Sequence, residues 1–270
     1  MTTTEAPALE ASAAPGAAVR ALFVLLAATA ALWLLNVFGR TLPTAVLALA
    51  WAVLAIGIGV ALFRRARVRR AAFLSAYVRG GSALQGRLRG GWPMAVRSLL
   101  LAAVVAGFLL IAVLRLDDRG GWLVLVASVP LLVLTYRLLL RALAPHSSGV
   151  YLPELAWRAT AALVGTAMVA ALVLLAYYRP YPALGEASLE QAVWHLVDAE
   201  RARSAPAEAL LQAAAAKDAL RLWLAQQLMP SPGTSLAQGA GWLIVLAEEA
   251  LFVWSYLLLC SGALLGSRSG

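Results

Sequence analysis

Charge is scarce in this chain, and the residue types that carry metal, redox and acid–base chemistry are scarcer still. Only 13% of its 270 residues are Asp, Glu, Lys or Arg, while 62% are hydrophobic. An average soluble domain carries about 25% charged residues, so this composition belongs to a bilayer. The one cysteine, Cys260, lies inside an apolar run, which excludes disulfide frameworks and cysteine metal centres. Both histidines, His146 and His195, fall outside every apolar run, which argues against a haem or metal held between spans by imidazole. No cofactor and no metal site is expected. The sequence also lacks a Walker loop, a dinucleotide fingerprint, GxSxG and HExxH, so no catalytic residue is assigned and an enzyme is not the leading reading.

Apolar runs fill the space these absences leave. Six reach the roughly 20 residues that a ~30 Å hydrocarbon core demands: Ala21–Gly39, Thr44–Phe63, Ser98–Leu114, Gly121–Leu140, Ala159–Tyr178 and Gly241–Leu265. TLPT, Thr41 to Thr44, reads as a tight turn that makes the first two spans a hairpin. The Ala/Thr/Pro-rich residues 1–20 read as a disordered tail. No small-residue cleavage site closes the first span, which therefore reads as a retained anchor.

Arginine placement sets the orientation. With the N-terminus in the cytoplasm, fourteen basic residues lie inside and eight outside, and the eight outside are matched by eight acids. The contrast is sharpest in RRARVRR, directly after the second span. Both termini are then cytoplasmic. Trp122 and Trp242 fall at the outer interface, and Trp92 and Trp157 at the inner one. The +9 net charge is accounted for by topology rather than by nucleic acid. Ala/Arg/Leu-heavy, lysine-poor usage points to a bacterial inner membrane.

The expected fold is all-α: a polytopic bundle of five spans (21–178) with a basic cytoplasmic loop at 64–97, an extracytoplasmic two-helix cap (179–240), then the sixth span and a short tail (241–270). In the cytoplasmic loop, Arg64, Arg65, Arg67, Arg69 and Arg70 are candidate contacts for anionic lipid headgroups, and AAFLSAYV suits a short interfacial helix. The plainer reading is that these arginines only obey the topology rule. In the cap, SLEQ (Ser188 to Gln191) is a capping-box pattern, and the helix it opens carries Leu189, Val193, Leu196 and Val197 on one face. A second helix capped by Ser204 runs to about Leu228, with Leu220, Trp223, Leu224 and Leu228 as its stripe. Two helices of this size cannot stand alone. They require the membrane surface, the span ends or a partner.

The last span carries the one chemical statement. WLIVLAEEALFVWSYLLL holds Glu248 and Glu249 within an apolar run. Each acid costs ~2.5–3.5 kcal/mol at a span centre, so each must be neutral, paired or wetted. Reading by sevens gives Gly241, Glu248, Ser255 and Gly262, a small or polar stripe that turns Glu248 toward a neighbouring helix, with Glu249 on its flank. Depth arithmetic nominates Ser128, Asn36 and Arg115 as polar partners. EEALFV begins like the EExxxR motif of intramembrane glutamic proteases of the prenyl-protein-processing type. Val253 stands where that arginine belongs, and no histidine lies in a span, so the resemblance stops at two letters.

Two functions remain. The leading one is a non-catalytic subunit or scaffold of a membrane complex, packing on other membrane subunits or on its own copies through the last span and the outer helices. Its rival is a proton- or cation-coupled transporter or channel component using Glu248 and Glu249, since intramembrane acids mark ion paths. The structural counter-reading of the pair is a hydrogen-bonded contact between helices.

Overall fold

A computed structural model describes residues 15–77, 91–146, 151–178, 188–228 and 235–266. Most of the N-terminal tail, the middle of the basic loop, the YYRPYP segment after Tyr178, most of MPSPGTS and Arg268 lie outside the described residues. The described residues form eight α-helices and no strand: α1 (Pro15–Phe38), α2 (Thr44–Tyr77), α3 (Trp92–Leu114), α4 (Arg119–Leu143), α5 (Leu152–Tyr178), α6 (Leu189–Val197), α7 (Ala205–Leu228) and α8 (Ser235–Gly266).

Six of these contain stretches long and apolar enough to cross a membrane, namely Gly16–Thr41, Thr44–Ala71, Trp92–Leu114, Arg119–Leu143, Leu152–Tyr178 and Leu246–Leu264. The chain is a multi-pass, all-helical membrane protein. Helices are the available solution because every backbone N–H and C=O must be satisfied within its own segment when no water surrounds it.

Local chemistry fixes the joints. A 3₁₀ turn over Gly39–Thr41 followed by Pro43 turns α1 into α2, and the Pro43 carbonyl accepts from Val46 and Leu47 to start the second helix. Asp118 caps α4, its carboxylate accepting from the Gly120 and Gly121 amides at 3.1 and 3.3 Å. Ser188 and Gln191 close both halves of the predicted capping box on α6.

Two features depart from expectation. The basic segment after Phe63 does not break into a loop with a separate interfacial helix. It continues α2 unbroken to Tyr77, giving 34 residues, or ~51 Å at ~1.5 Å per residue, well beyond a ~30 Å core. The second departure is α7, whose buried positions are Leu211, Ala215 and Ala219, while Leu220 and Leu224 are exposed. The face of α7 turned inward thus carries alanine, and Leu220 and Leu224 of the expected stripe lie outside it.

α8 is the centre of the bundle and touches α1, α2, α3, α5 and α7. Every residue from Ser255 to Gly262 is buried. Its closest crossing is with α2. A Cβ at Gly262 would lie 2.0 Å from the Gly57 carbonyl oxygen, so only a residue without a side chain fits there. The C-terminal half of the last span is thus enclosed by this chain's own helices. The small residues of this stretch therefore serve a crossing within the chain. α6 and α7 pack on each other, and α7 also touches α2, α3 and α8, so the pair rests on one end of the bundle.

Candidate functional site

Glu248 stands on α8 beside α7. Its Oε1 accepts from Lys217 Nζ at 2.7 Å, and its Oε2 accepts from Arg221 Nη1. Lys217 and Arg221 are one helical turn apart (i, i+4), so both reach the same carboxylate from one face of α7. The Glu248 side chain is 28% exposed, Arg221 27% and Lys217 52%, which places the pairing at a part-solvated rim rather than in a dry interior. The span-length stretch of α8 begins at Leu246, two residues before Glu248. Glu249 is half-buried next to it.

Glu248 is one end of a longer row of alternating charges. Lys217 also lies 3.4 Å from Asp218, whose other oxygen accepts from Arg115 Nη1. Arg115 Nε donates to Glu200 Oε1 at 3.0 Å. Arg40 Nη1 approaches Glu200 Oε2 at 2.9 Å. That oxygen accepts no aligned hydrogen bond, so Arg40 holds it by charge attraction while donating through Nε and Nη2 to the Leu114 carbonyl. Asp117, exposed, completes the row 4.0 Å from Arg40. Four cations and four anions tie the ends of α1 and α3 and the α6–α7 connection to the middle of α7 and to α8.

Glu200 is the most enclosed member, with a side chain only 11% exposed. Burial pulls the Arg115 guanidinium pKa down, but the adjacent carboxylates of Asp218 and Glu200 outweigh it, and the net shift is upward. Arg115 is therefore a fixed positive charge. One backbone and one side-chain contact reinforce the joint: the Arg203 amide donates to the Arg40 carbonyl at 2.9 Å, and the Thr44 and Ser204 hydroxyls are 3.0 Å apart.

The structure distributes the sequence candidates over separate tasks. Asn36 donates to the carbonyls of Val113 and Leu116 at 2.8 and 3.2 Å, so it seals the C-terminus of α3. Arg115 joins the charge row but pairs with Glu200 and Asp218. Ser255 is buried and donates to the Leu251 carbonyl of its own helix at 2.7 Å. Ser128 donates to the Leu125 carbonyl at 2.7 Å and lies 3.5 Å from the Tyr256 hydroxyl. Tyr256 is eight residues beyond Glu248, or ~12 Å along α8, so Ser128 and the acids belong to different levels of the bundle.

That deeper level is a small polar cluster the sequence reading passed over. Tyr256 is fully buried, and its hydroxyl lies 2.9 Å from the Thr29 hydroxyl. The signal was present in the sequence: Thr29, Ser128 and Tyr256 are isolated polar groups near the middle of three apolar runs. Lys217, Arg221, Glu200 and Asp218 were also missed as partners, although the equal number of outer acids and bases was their trace.

Among the described residues, no group of three or more His, Cys, Asp or Glu is placed to hold a metal ion. The arrangement is suited to fastening helices together. No protein-family model matches the chain, and no curated protein and no solved structure matches it.

Proposed function

We propose that this protein is a non-catalytic subunit or scaffold of a complex in a bacterial inner membrane, with both termini cytoplasmic and α6–α7 forming a cap on the outer side. The observation that carries this reading is the double pairing of Glu248 with Lys217 and Arg221. A carboxylate whose two oxygens are both taken by cations of a neighbouring helix has neither oxygen open to a travelling ion. The same pairing fastens the cap to the central helix. The partner surface is then the exposed apolar face of the cap, where Trp194 is 56% exposed and Leu210 54%, together with the outer half of α8, where Leu243 is 65% exposed. Exposed Trp is a frequent anchor of protein contacts.

Affinity purification of the full chain in mild detergent, followed by mass spectrometry, tests this. Co-purifying subunits should persist in Glu248→Gln and be lost in Trp194→Asp. Recovery of the chain alone, or pH-dependent ion flux in liposomes that Glu248→Gln abolishes, would overturn the reading.

A further inference from the structure

At the end of the bundle opposite Glu248, α2, α4, α5 and α8 enclose a cavity of about 80 Å³. Arg64, Arg65, Tyr136, Glu154, Trp157 and Ser261 contribute to its wall. Two buried N–H donors on residues of its wall have no acceptor. Trp157 is only 6% exposed, and its indole Nε1 is buried without a hydrogen-bond partner. Arg65 Nε is in the same condition. Leaving buried donors unpaired is costly, so the cavity is built to receive an acceptor.

The charge around it selects the kind of acceptor. Arg64 and Arg65 line the wall, and of the charges acting on Arg65 the carboxylate of Glu154 is the strongest, opposed by Arg158 and Arg69. The one acid, Glu154, is already held by Arg158 Nε at 3.1 Å. Ser261 adds a hydroxyl, and the first turn of α5 opens beside the space through Pro153 and Glu154, where a helix N-terminus favours an anion. Cations in excess, orphan donors and a helix start all ask for an oxyanion. A space of about 80 Å³ is several times the roughly 10–15 Å³ that one water needs on the same measure, which leaves room for a tetrahedral group.

Depth narrows the source. Arg64 directly follows the apolar run ending at Phe63. Tyr136 and Trp157 meet edge to face with centroids 6.1 Å apart. Aromatic rings and arginines at a span end mark the headgroup level. We propose that this cavity binds one phosphate group, carried by an anionic phospholipid, through Arg65 and the Trp157 N–H. This is a defined site on two of the chain's arginines, distinct from diffuse attraction by all five, and it is independent of the function proposed above.

Native mass spectrometry of the full chain in nonionic detergent tests it, with phosphatidylglycerol, phosphatidylcholine and inorganic phosphate as separate probes. Wild-type protein should retain one phosphatidylglycerol in preference to phosphatidylcholine. Arg65→Gln should weaken retention about tenfold, as loss of a charged hydrogen bond does. Trp157→Phe, which keeps the ring, should weaken it a few-fold, and Arg67→Gln, at an exposed arginine of the same helix, should leave it unchanged. Displacement of the lipid by inorganic phosphate would keep the phosphate site but overturn the lipid as its source. Equal retention by wild type, Arg65→Gln and Trp157→Phe, or equal loss in Arg67→Gln, would overturn the site. If Arg65→Gln does not fold, the Trp157→Phe comparison decides alone.

Discussion

Arg40 and Arg115, from the ends of two different spans, converge on the single carboxylate of Glu200 at 2.9 and 3.0 Å. Neither cation has to be drawn into the bilayer for this. The acid comes to them, carried on the short connection between α6 and α7.

Removing that acid should be the most damaging charge deletion in the protein. Glu200→Ala leaves two part-buried guanidinium groups facing each other, and breaking an enclosed pair costs about 3–5 kcal/mol. Because Arg40 and Arg115 are 30% and 23% exposed, water recovers part of this, and a loss of about 2 kcal/mol is expected. Thermal unfolding in detergent reads it. Glu208→Ala, whose partner Arg201 is 69% exposed, should change stability far less.

Arg115 serves two acids at once, through Nε to Glu200 and Nη1 to Asp218. Lysine has no fork and would keep one of them, so Arg115→Lys should cost about 1 kcal/mol at neutral pH. The raised guanidinium pKa gives the wild type a stabilisation that is fully present below the ordinary arginine range and lost only as pH rises beyond it. Wild-type stability from this contact should therefore stay flat between pH 8 and 10. Arg115→Lys should lose stability as pH approaches the ordinary lysine value of ~10.4. Parallel pH profiles for the two proteins would refute the assignment.

The α2–α8 crossing gives an asymmetric pair of substitutions. Gly262→Ala drives a methyl to 2.0 Å from the Gly57 carbonyl oxygen, which is backbone and cannot turn aside. Gly57→Ala meets only the tip of Leu259 at 3.3 Å. Overpacking of the first kind costs about 1–3 kcal/mol or more, whereas the second should be close to neutral. Comparable effects on the unfolding temperature would show that the helices do not cross at these residues.

Tyr256→Phe should be mild despite complete burial. Thr29 also donates to the Leu25 carbonyl at 2.9 Å and Ser128 to the Leu125 carbonyl, so neither is orphaned when the phenol is removed. A loss near 1 kcal/mol is expected. Tyr256→Ala, which opens a cavity in the core, should cost about 3–5 kcal/mol.

The number of spans, the TLPT turn and the SLEQ cap were legible because each depends on neighbours a few residues apart. The partners of Glu248 were not, for a physical reason. Depth arithmetic ranked residues within other spans, while Lys217 and Arg221 belong to a helix that folds back alongside α8 and approaches it 31 and 27 residues away in sequence. Hydrophobic periodicity also misled on α7. It picks out large apolar residues, whereas Ala215 and Ala219 are among the buried positions of this helix, and alanine can sit on any helix face. The heptad reading did place Gly262 on the side of close approach, yet it could not say that the neighbour was this chain's own α2.

The central claim is that Glu248 is discharged by α7 and holds it to the bundle. A double-mutant cycle on thermal stability between Glu248→Gln and Arg221→Gln tests this most directly, because it isolates the pair from the rest of the row. A favourable coupling of about 0.5–1 kcal/mol is expected for charges this exposed. Strictly additive losses would show that the two side chains do not meet, and would contradict the account.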